Sequence, residues 1–293
     1  MSKIIITGAN SQLAQTFKKV VEYNNKKFFF LSKGELDITN YNNIEKIIKK
    51  IKPKYILNTA AYTNVEASEY NNKNAIAVNS YGAFNLAKIA KIENINLLHI
   101  SSNYVFDGLK KIPYLFKDKT NPINEYGKSK LLGEKFINNK IKTNCLVLRV
   151  SWLYSEFPNN FIQKILKKIL NNENLDMVYD LKSNPTSSLN LCLFIKKIIE
   201  SNIDLSKQNL TLHFCDSGMA ITPYDFAIYV LKIFNQKRSS KSKINRISIE
   251  KFNSNVKRPI NSSLNIKKSL FLFNYQSLHW EKEVKRIILN SIL

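Results

Sequence analysis

Five short apolar runs, Lys3–Thr7, Lys27–Leu31, Tyr55–Asn58, Asn96–Ile100 and Cys145–Val150, alternate with segments of helical periodicity through the first half of the chain. A strand that returns parallel to its neighbour needs a crossover, and that crossover is right-handed. The repeated strand–helix order therefore predicts an α/β fold with a doubly wound parallel sheet over residues 1–150. Beyond Arg149 the regularity loosens. Residues 151–293 are expected to form mainly a smaller substrate-binding lobe, with some segments returning to the sheet.

Ligands of such sheets lie outside the carboxyl ends of the strands, so those ends are where chemistry is sought. Gly8-Ala9-Asn10-Ser11-Gln12-Leu13-Ala14 turns the first strand into a helix running to about Glu22. This is the place where a Rossmann fold seats a dinucleotide pyrophosphate on a helix N-terminus. Gly8 supplies the tight turn, and Ala14 is an accepted small residue at the third position. Ser11 stands where a second glycine would let the ligand approach the backbone, and its hydroxyl either donates to a phosphate or weakens binding. The second strand ends in Ser32-Lys33, and a hydroxyl beside a cation suits a ribose 2′-phosphate better than a 2′-hydroxyl. The expected cofactor is NADPH, with NADH possible. Asp37-Ile38-Thr39-Asn40 leads into a helix that Thr39 or Asn40 caps and that ends before Pro53. Small residues after the third strand, Thr59-Ala60-Ala61-Tyr62-Thr63, leave room for a ligand, and a helix containing Ala75 to Ala90 follows. Ser101-Ser102-Asn103 ends the fourth strand and offers hydroxyls to the crevice.

Tyr126-Gly127-Lys128-Ser129-Lys130 lies on the next helix. Residues four apart share a helical face with Cβ atoms about 5–6 Å apart. A phenol titrates near ~10, and a neighbouring ammonium favours its phenolate, which makes it useful for proton transfer at neutral pH. Alone, the Tyr126–Lys130 spacing is equally that of a solvated helix face. With Gly8, Ala61 and Ser102 predicted to converge on the same crevice, the pair becomes a candidate acid–base centre.

In the second half, Asn160 to Leu170, Asn190 to Ser201, Pro223 to Phe234 and Ser277 to Leu289 read as helices and Thr211 to Phe214 as a strand, while Asp180 to Ser188 reads as a loop. The formal net charge is +23. The lysines are nevertheless dispersed on helix faces rather than clustered, which argues against nucleic acid and leaves a field that attracts phosphorylated ligands. Cys145, Cys192 and Cys215 have neither pairing nor metal-ligand spacing, which fits a reducing compartment. No apolar stretch reaches the roughly 20 residues of a membrane span, and no signal-peptide pattern is present. A cytoplasmic protein without membrane association is expected.

The stretches Thr7 to Leu13, Leu36-Asp37-Ile38-Thr39, Asn58 to Thr63, Ser101 to Gly108, Tyr126 to Lys130, Leu148 to Tyr154, Asn184 to Ser187 and Arg258-Pro259-Ile260-Asn261-Ser262 occur in an order that resembles the dTDP-4-dehydrorhamnose reductases. These are a branch of the extended short-chain dehydrogenase/reductases, and the resemblance spans essentially the whole chain. It implies reduction of the C4 ketone of dTDP-4-dehydro-6-deoxy-L-mannose by NADPH or NADH, a step toward dTDP-L-rhamnose for cell-surface polysaccharide. It further implies that Tyr126 donates the proton, that Lys130 lowers the phenol's pKa and binds the nicotinamide ribose, and that Ser102 hydrogen-bonds the carbonyl. Gly8, Ser11, Gln12, Leu13, Asp37, Ile38, Ala61, Tyr62 and Thr63 would line the cofactor, beside the Lys33 read above from the end of the second strand. Asn103, Trp152 and Arg258 would contact the nucleotide sugar, in a monomer or homodimer. The family usually has Gly at Ser11, commonly Gly at Ala14, Thr at Ser102, Asp at Asn103, and Gln and Gly at Leu181 and Ser183. Some members bridge a dimer through metal-binding glutamates; no matching cluster is legible here, so no metal is expected. Two alternatives stay open: a reductase or epimerase on another nucleotide sugar, and a non-catalytic NADP-binding regulatory subunit.

Overall fold

The computed structural model describes residues 2–21, 27–141, 144–201 and 210–292. In chain order the principal elements are β1 (Ile4–Thr7), α1 (Gln12–Val20), β2 (Phe28–Leu31), α2 (Tyr41–Ile51), β3 (Tyr55–Asn58), α3 (Val65–Tyr70), α4 (Asn72–Ala75), a π-helical segment (Ile76–Gly82), α5 (Ala83–Ile92), β4 (Asn96–Ser102), α6 (Glu125–Lys135) and β5 (Cys145–Val150). There follow β6 (Leu153–Tyr154), α7 (Phe161–Leu170), β7 (Leu175–Val178), β8 (Thr186–Ser187), α8 (Ser188–Glu200), β9 (Leu210–Phe214), α9 (Pro223–Asn235), β10 (Ile244–Ile247), α10 (Lys267–Phe273) and α11 (Trp280–Ile292). The end of the first helix predicted at Glu22 lies outside the described residues.

The main sheet has the order β2-β1-β3-β4-β5-β9, with every pairing parallel. Alternate side chains of each strand feed opposite cores, as the two-residue period requires. Ile4, Ile6, Leu57, Leu98, Leu146 and Leu148 pack with Leu13 and Phe17 of α1 and Phe194 and Ile195 of α8. Ile5, Ile56, Leu97 and Val147 face the other way, onto Ile44 and Ile48 of α2 and Leu86, Ala87 and Ala90 of α5. Burying a side chain of this size contributes about 1.5–3 kcal/mol, so both faces must be covered, and the doubly wound arrangement follows. Caps fix the helix starts. Ser11 accepts from the Ala14 N–H, Asn40 from the Asn43 N–H at 3.0 Å, and Thr222 and Asp225 form a capping box with Pro223 in the first turn of α9.

The chain runs outward from β1 to β2 and then back across β1 to β3, so the sheet's direction of winding reverses between β1 and β3. That reversal opens a crevice at their carboxyl ends. Gly8 sits there with φ +65°, and a Cβ on it would lie 2.8 Å from the Ala60 Cα. Only glycine lets the β1–α1 turn lie against the end of β3.

A second core is built from Tyr154, Ile162, Ile165, Leu166, Phe226, Val230, Phe234, Trp280, Val284 and Ile288 of α7, α9, α11 and β6. Two small parallel pairs, β7 with β10 and β6 with β8, border it. Three sequence expectations are corrected in this half. The loop predicted over Asp180 to Ser188 contains β8, because Thr186 and Ser187 pair with Leu153 and Tyr154. The helix expected from Asn190 starts at Ser188, capped by the Ser187 hydroxyl, which accepts from the Asn190 N–H. The final helix starts at Trp280 rather than Ser277, because the Ser277 hydroxyl donates to the Cys215 carbonyl and the Leu278 carbonyl accepts from Ser217.

Asp216 ties this core to the sheet. It accepts from Asn190 at 2.7 Å, from the Tyr154 hydroxyl at 2.8 Å and from the Ser187 N–H at 2.9 Å. Burial still pushes its carboxyl up to about 7, against those three donors. Its folded pKa exceeds the unfolded one, so between about 4 and 7 the native state holds more protons and Asp216 loses stabilising effect as pH rises. Wild type is expected to lose stability relative to Asp216→Asn as pH rises across that window. Urea denaturation of both at several pH values checks this, and a constant difference would rule it out.

Candidate active site

The carboxyl ends of β1 to β5 and the second core enclose a cleft of about 1230 Å³. Pockets for one drug-sized ligand span about 300–1,000 Å³, so this cleft is larger than one such ligand needs. Lys33, Lys130, Lys164, Lys182 and Arg258 line it against the carboxylates of Asp37 and Asp176, which gives it a cationic bias. Gly8, Ser11, Gln12, Leu13, Lys33, Asp37, Ile38, Ala61, Tyr62, Thr63, Ser102, Asn103, Tyr126, Lys130, Trp152 and Arg258 all line it. The candidate residues are therefore brought to one place.

At its centre, α6 carries Tyr126 and Lys130 toward the end of β4. Gly133 lets α6 approach the π-helical segment closely, since a Cβ there would lie 2.3 Å from the Asn79 carbonyl oxygen. Lys130 is buried and its Nζ donates to the Ile100 carbonyl at 2.7 Å. Burial pulls its pKa down to about 8, while the charge of Glu134 opposes the shift. Enclosure pushes the Tyr126 phenol up to about 12, and a hydrogen bond with Ser102 opposes that rise. The Lys130 ammonium itself is directed at the strand carbonyl, one helical turn from the phenol. Tyr104 packs edge-on to Tyr126 at 5.9 Å between ring centroids.

Ser11 is otherwise engaged than a phosphate contact would require. Thr59 must donate to the Thr7 carbonyl, 2.6 Å away, because that oxygen has no proton to give. Ser11 then donates its own hydrogen to Thr59 at 2.9 Å while accepting from Ala14. Its hydroxyl fastens the turn to β3. Asn103 is similarly committed. Its Nδ2 donates to the Ser183 hydroxyl and the Ser262 carbonyl, each at 3.1 Å, and its Oδ1 accepts from Ser102 at 3.4 Å. The two departures at Asn103 and Ser183 are therefore partners of each other. A carboxylate at 103 would have no hydrogen to offer the Ser262 carbonyl.

Trp152 has φ +45°, an uncommon conformation for a bulky residue, and its ring lies 5.1 and 5.2 Å from those of Phe161 and Phe226. It is both a wall of the cleft and part of the second core. Arg258 is ion-paired with Glu66 of α3, lies 3.4 Å from the Tyr104 hydroxyl and sits over the Phe252 ring. Asp37 accepts from the Thr39 N–H and hydroxyl, shaping the loop after β2. Asn79 had no sequence signal, being one of several polar residues in its helical stretch. It accepts from the Tyr62 N–H at 2.9 Å, donates to the Tyr62 carbonyl and Ser129 hydroxyl, each at 3.0 Å, and so braces the 59–63 loop against α6. Its place in a π-helical segment fits the frequent use of that geometry at functional sites. Among the described residues, no group of three or more His, Cys, Asp or Glu side chains could hold a metal ion, and no helix is long and apolar enough to cross a membrane.

A six-stranded parallel sheet, a crevice where its winding reverses and a tyrosine–lysine helix at the end of the fourth strand define the class of extended short-chain dehydrogenase/reductases. The family model described as the RmlD substrate binding domain matches residues 2–292. The dTDP-4-dehydrorhamnose reductase of Aggregatibacter actinomycetemcomitans is 33% identical over 98% of both chains. A crystal structure of the Bacillus anthracis dTDP-4-dehydrorhamnose reductase in complex with NADP superimposes with a TM-score of 0.90, at 29% identity over 99% of both chains. A dTDP-4-keto-6-deoxy-D-glucose reductase of Streptomyces niveus is 30% identical over 67% of this chain and 68% of its own. The chain belongs to the dTDP-4-dehydrorhamnose reductase family.

Proposed function

We propose that this chain reduces the C4 ketone of dTDP-4-dehydro-6-deoxy-L-mannose to dTDP-L-rhamnose, with NADPH as the preferred reductant and NADH as a second. The observation that carries the reading is the meeting of Ser102, Tyr126 and Lys130 at the end of β4, inside the cleft that also holds the Gly8 turn. The family relationship supplies the substrate class. The chain's residues suit a dinucleotide: the Gly8 turn has no room for a side chain, and the N-terminus of α1 opens on the cleft through Ser11, Gln12 and Leu13. We assign residues 1–150 chiefly to the cofactor and residues 151–293 chiefly to the sugar nucleotide.

When bound, the nicotinamide supplies hydride for C4. The chain must stabilise the negative charge that develops on the C4 oxygen and then protonate it. Tyr126, with its pKa near 12, carries its proton at neutral pH and is the donor. Ser102, by turning its hydrogen away from the long bond to Asn103 Oδ1, offers a hydroxyl to the same oxygen. Lys130, charged below about pH 8, stands one helical turn from the phenol and stabilises the phenolate left behind. To the same ammonium we assign a bond to the nicotinamide ribose, on the family relationship. Asn103 orients Ser102, Trp152 offers a wall for the sugar nucleotide, and Arg258 a cation for its diphosphate. A cytoplasmic monomer or homodimer, with no part in nucleic-acid binding, completes the reading.

Wild-type protein with NADPH and enzymatically generated dTDP-4-dehydro-6-deoxy-L-mannose is expected to deplete the reduced-nicotinamide absorbance in proportion to product. Folded, cofactor-binding protein that leaves the absorbance unchanged would defeat the assignment. The Streptomyces niveus relative and the Asn103–Ser183 pair favour a second reading, in which another dTDP-4-keto-6-deoxyhexose is the substrate. Offering both sugars in the same assay separates the two.

A further inference from the structure

An internal carboxylate sits at the end of β2. Oε2 of Glu35 accepts from the Ser32 N–H at 2.8 Å and from the Ser32 hydroxyl at 2.7 Å, and these bonds hold its carboxyl below the usual range. The turn closes on itself, since the N–H groups of Glu35 and Leu36 both donate to the Ser32 carbonyl, at 3.1 and 2.8 Å. Its side chain is exposed, and the neighbours Lys33, Leu36 and Asp37 line the cleft. In dinucleotide folds an acid at this strand end accepts from the ribose hydroxyls, whereas a backbone N–H, a hydroxyl and a cation suit a 2′-phosphate. One turn of this chain holds both devices, and they exclude each other. A phosphate that takes the Ser32 donors must first displace Glu35, and a carboxylate left nearby repels it.

We propose that Glu35 is a specificity-determining residue that occupies the 2′-phosphate seat formed by Ser32 and Lys33 and so narrows the preference for NADPH over NADH. The inference rests on reading the Gly8 to Asp37 end of the cleft as the adenosine end of a dinucleotide site. Glu35→Gln keeps the side chain's length and its carbonyl acceptor but removes the repulsive charge, and the position is exposed, so the fold is retained.

The test is isothermal titration calorimetry with 2′,5′-ADP and 5′-AMP, which present the adenosine end with and without the 2′-phosphate. Glu35→Gln is expected to bind 2′,5′-ADP about tenfold tighter than wild type while 5′-AMP changes less than about twofold, since removing one like charge acts chiefly on the ligand that carries the 2′-phosphate. Lys33→Ala is expected to do the reverse to 2′,5′-ADP by a similar factor of about ten. An unchanged ratio of the two affinities in Glu35→Gln, with both fragments bound, overturns the inference and leaves the cofactor reading standing. Failure of wild type to bind either fragment overturns both.

Discussion

Replacement of Tyr126 by Phe is expected to lower kcat by about 10²–10⁴-fold, the usual contribution of a positioned acid–base group, while dinucleotide affinity stays near wild type. The substitution removes one oxygen and keeps the ring, whose edge-on contact with Tyr104 at 5.9 Å and position on α6 are unaffected. Ser102 remains to polarise the carbonyl, so loss of the proton donor should not erase all turnover. The effect should fall on kcat and kcat/KM together, as it does when an interaction made only in the transition state is lost. Steady-state NADPH oxidation and a fluorescence titration of NADPH, run on both proteins, separate chemistry from binding. A kcat reduced less than about threefold would remove Tyr126 from the proton-transfer role. A matching loss of NADPH affinity would instead assign it to cofactor placement.

The parts of the fold that could be read in the sequence are those whose cause is local. Ile4–Thr7 and Cys145–Val150 are buried along their whole length and read as short, mainly apolar runs, and caps such as Asn40 and Thr222 sit within a turn of what they cap. By contrast, β7 and β10 are Leu-Asp-Met-Val and Ile-Asn-Arg-Ile, each strand only because the other pairs with it across the sequence gap. The site divides in the same way. Gly8, Ser102, Tyr126 and Lys130 announce themselves through strand ends and helical spacing. Asn79 does not, because its partner Tyr62 lies on a loop preceding its helix. Ser32-Lys33 reads as a phosphate seat until the chain folds Glu35 back onto it, which a search for an acid at the strand end itself passes over. Likewise, Asn103 reads as a lost charge until Ser183, eighty residues on, is found accepting its hydrogen.

Beneath Lys130 lies the other change from which a large effect is expected. Arg149 of β5 grips Glu134 of α6 through Nε at 3.0 and 3.2 Å and through Nη2 at 2.7 Å, and both residues are buried. Ser101 donates to the same carboxylate at 2.5 Å. Arg149 also donates to the Phe116 carbonyl at 3.3 Å, and its guanidinium lies over the Phe106 ring. His213 is neutral, its pKa pulled down to about 3 by burial and then by Arg149, so its lone pair faces Arg149 while its other nitrogen donates to the Tyr114 carbonyl. Arg149→Met removes every donor of the guanidinium and leaves Glu134 as a buried charge with Ser101 alone. Removing one member of such a pair costs about 3–5 kcal/mol, and chemical denaturation at pH 7 measures it. Removing both is far less costly, because no uncompensated charge remains. The double variant Glu134→Gln with Arg149→Met should therefore be more stable than Arg149→Met alone, a coupling that a double-mutant cycle reads directly. If the two losses simply add, the ion pair is not what joins α6 to β5. Glu134 stands one helical turn beyond Lys130 and favours its charged form. Even where Arg149→Met still folds, the proton affinity of Lys130, and with it the alkaline limb of the reductase's pH profile, should move with the state of Glu134.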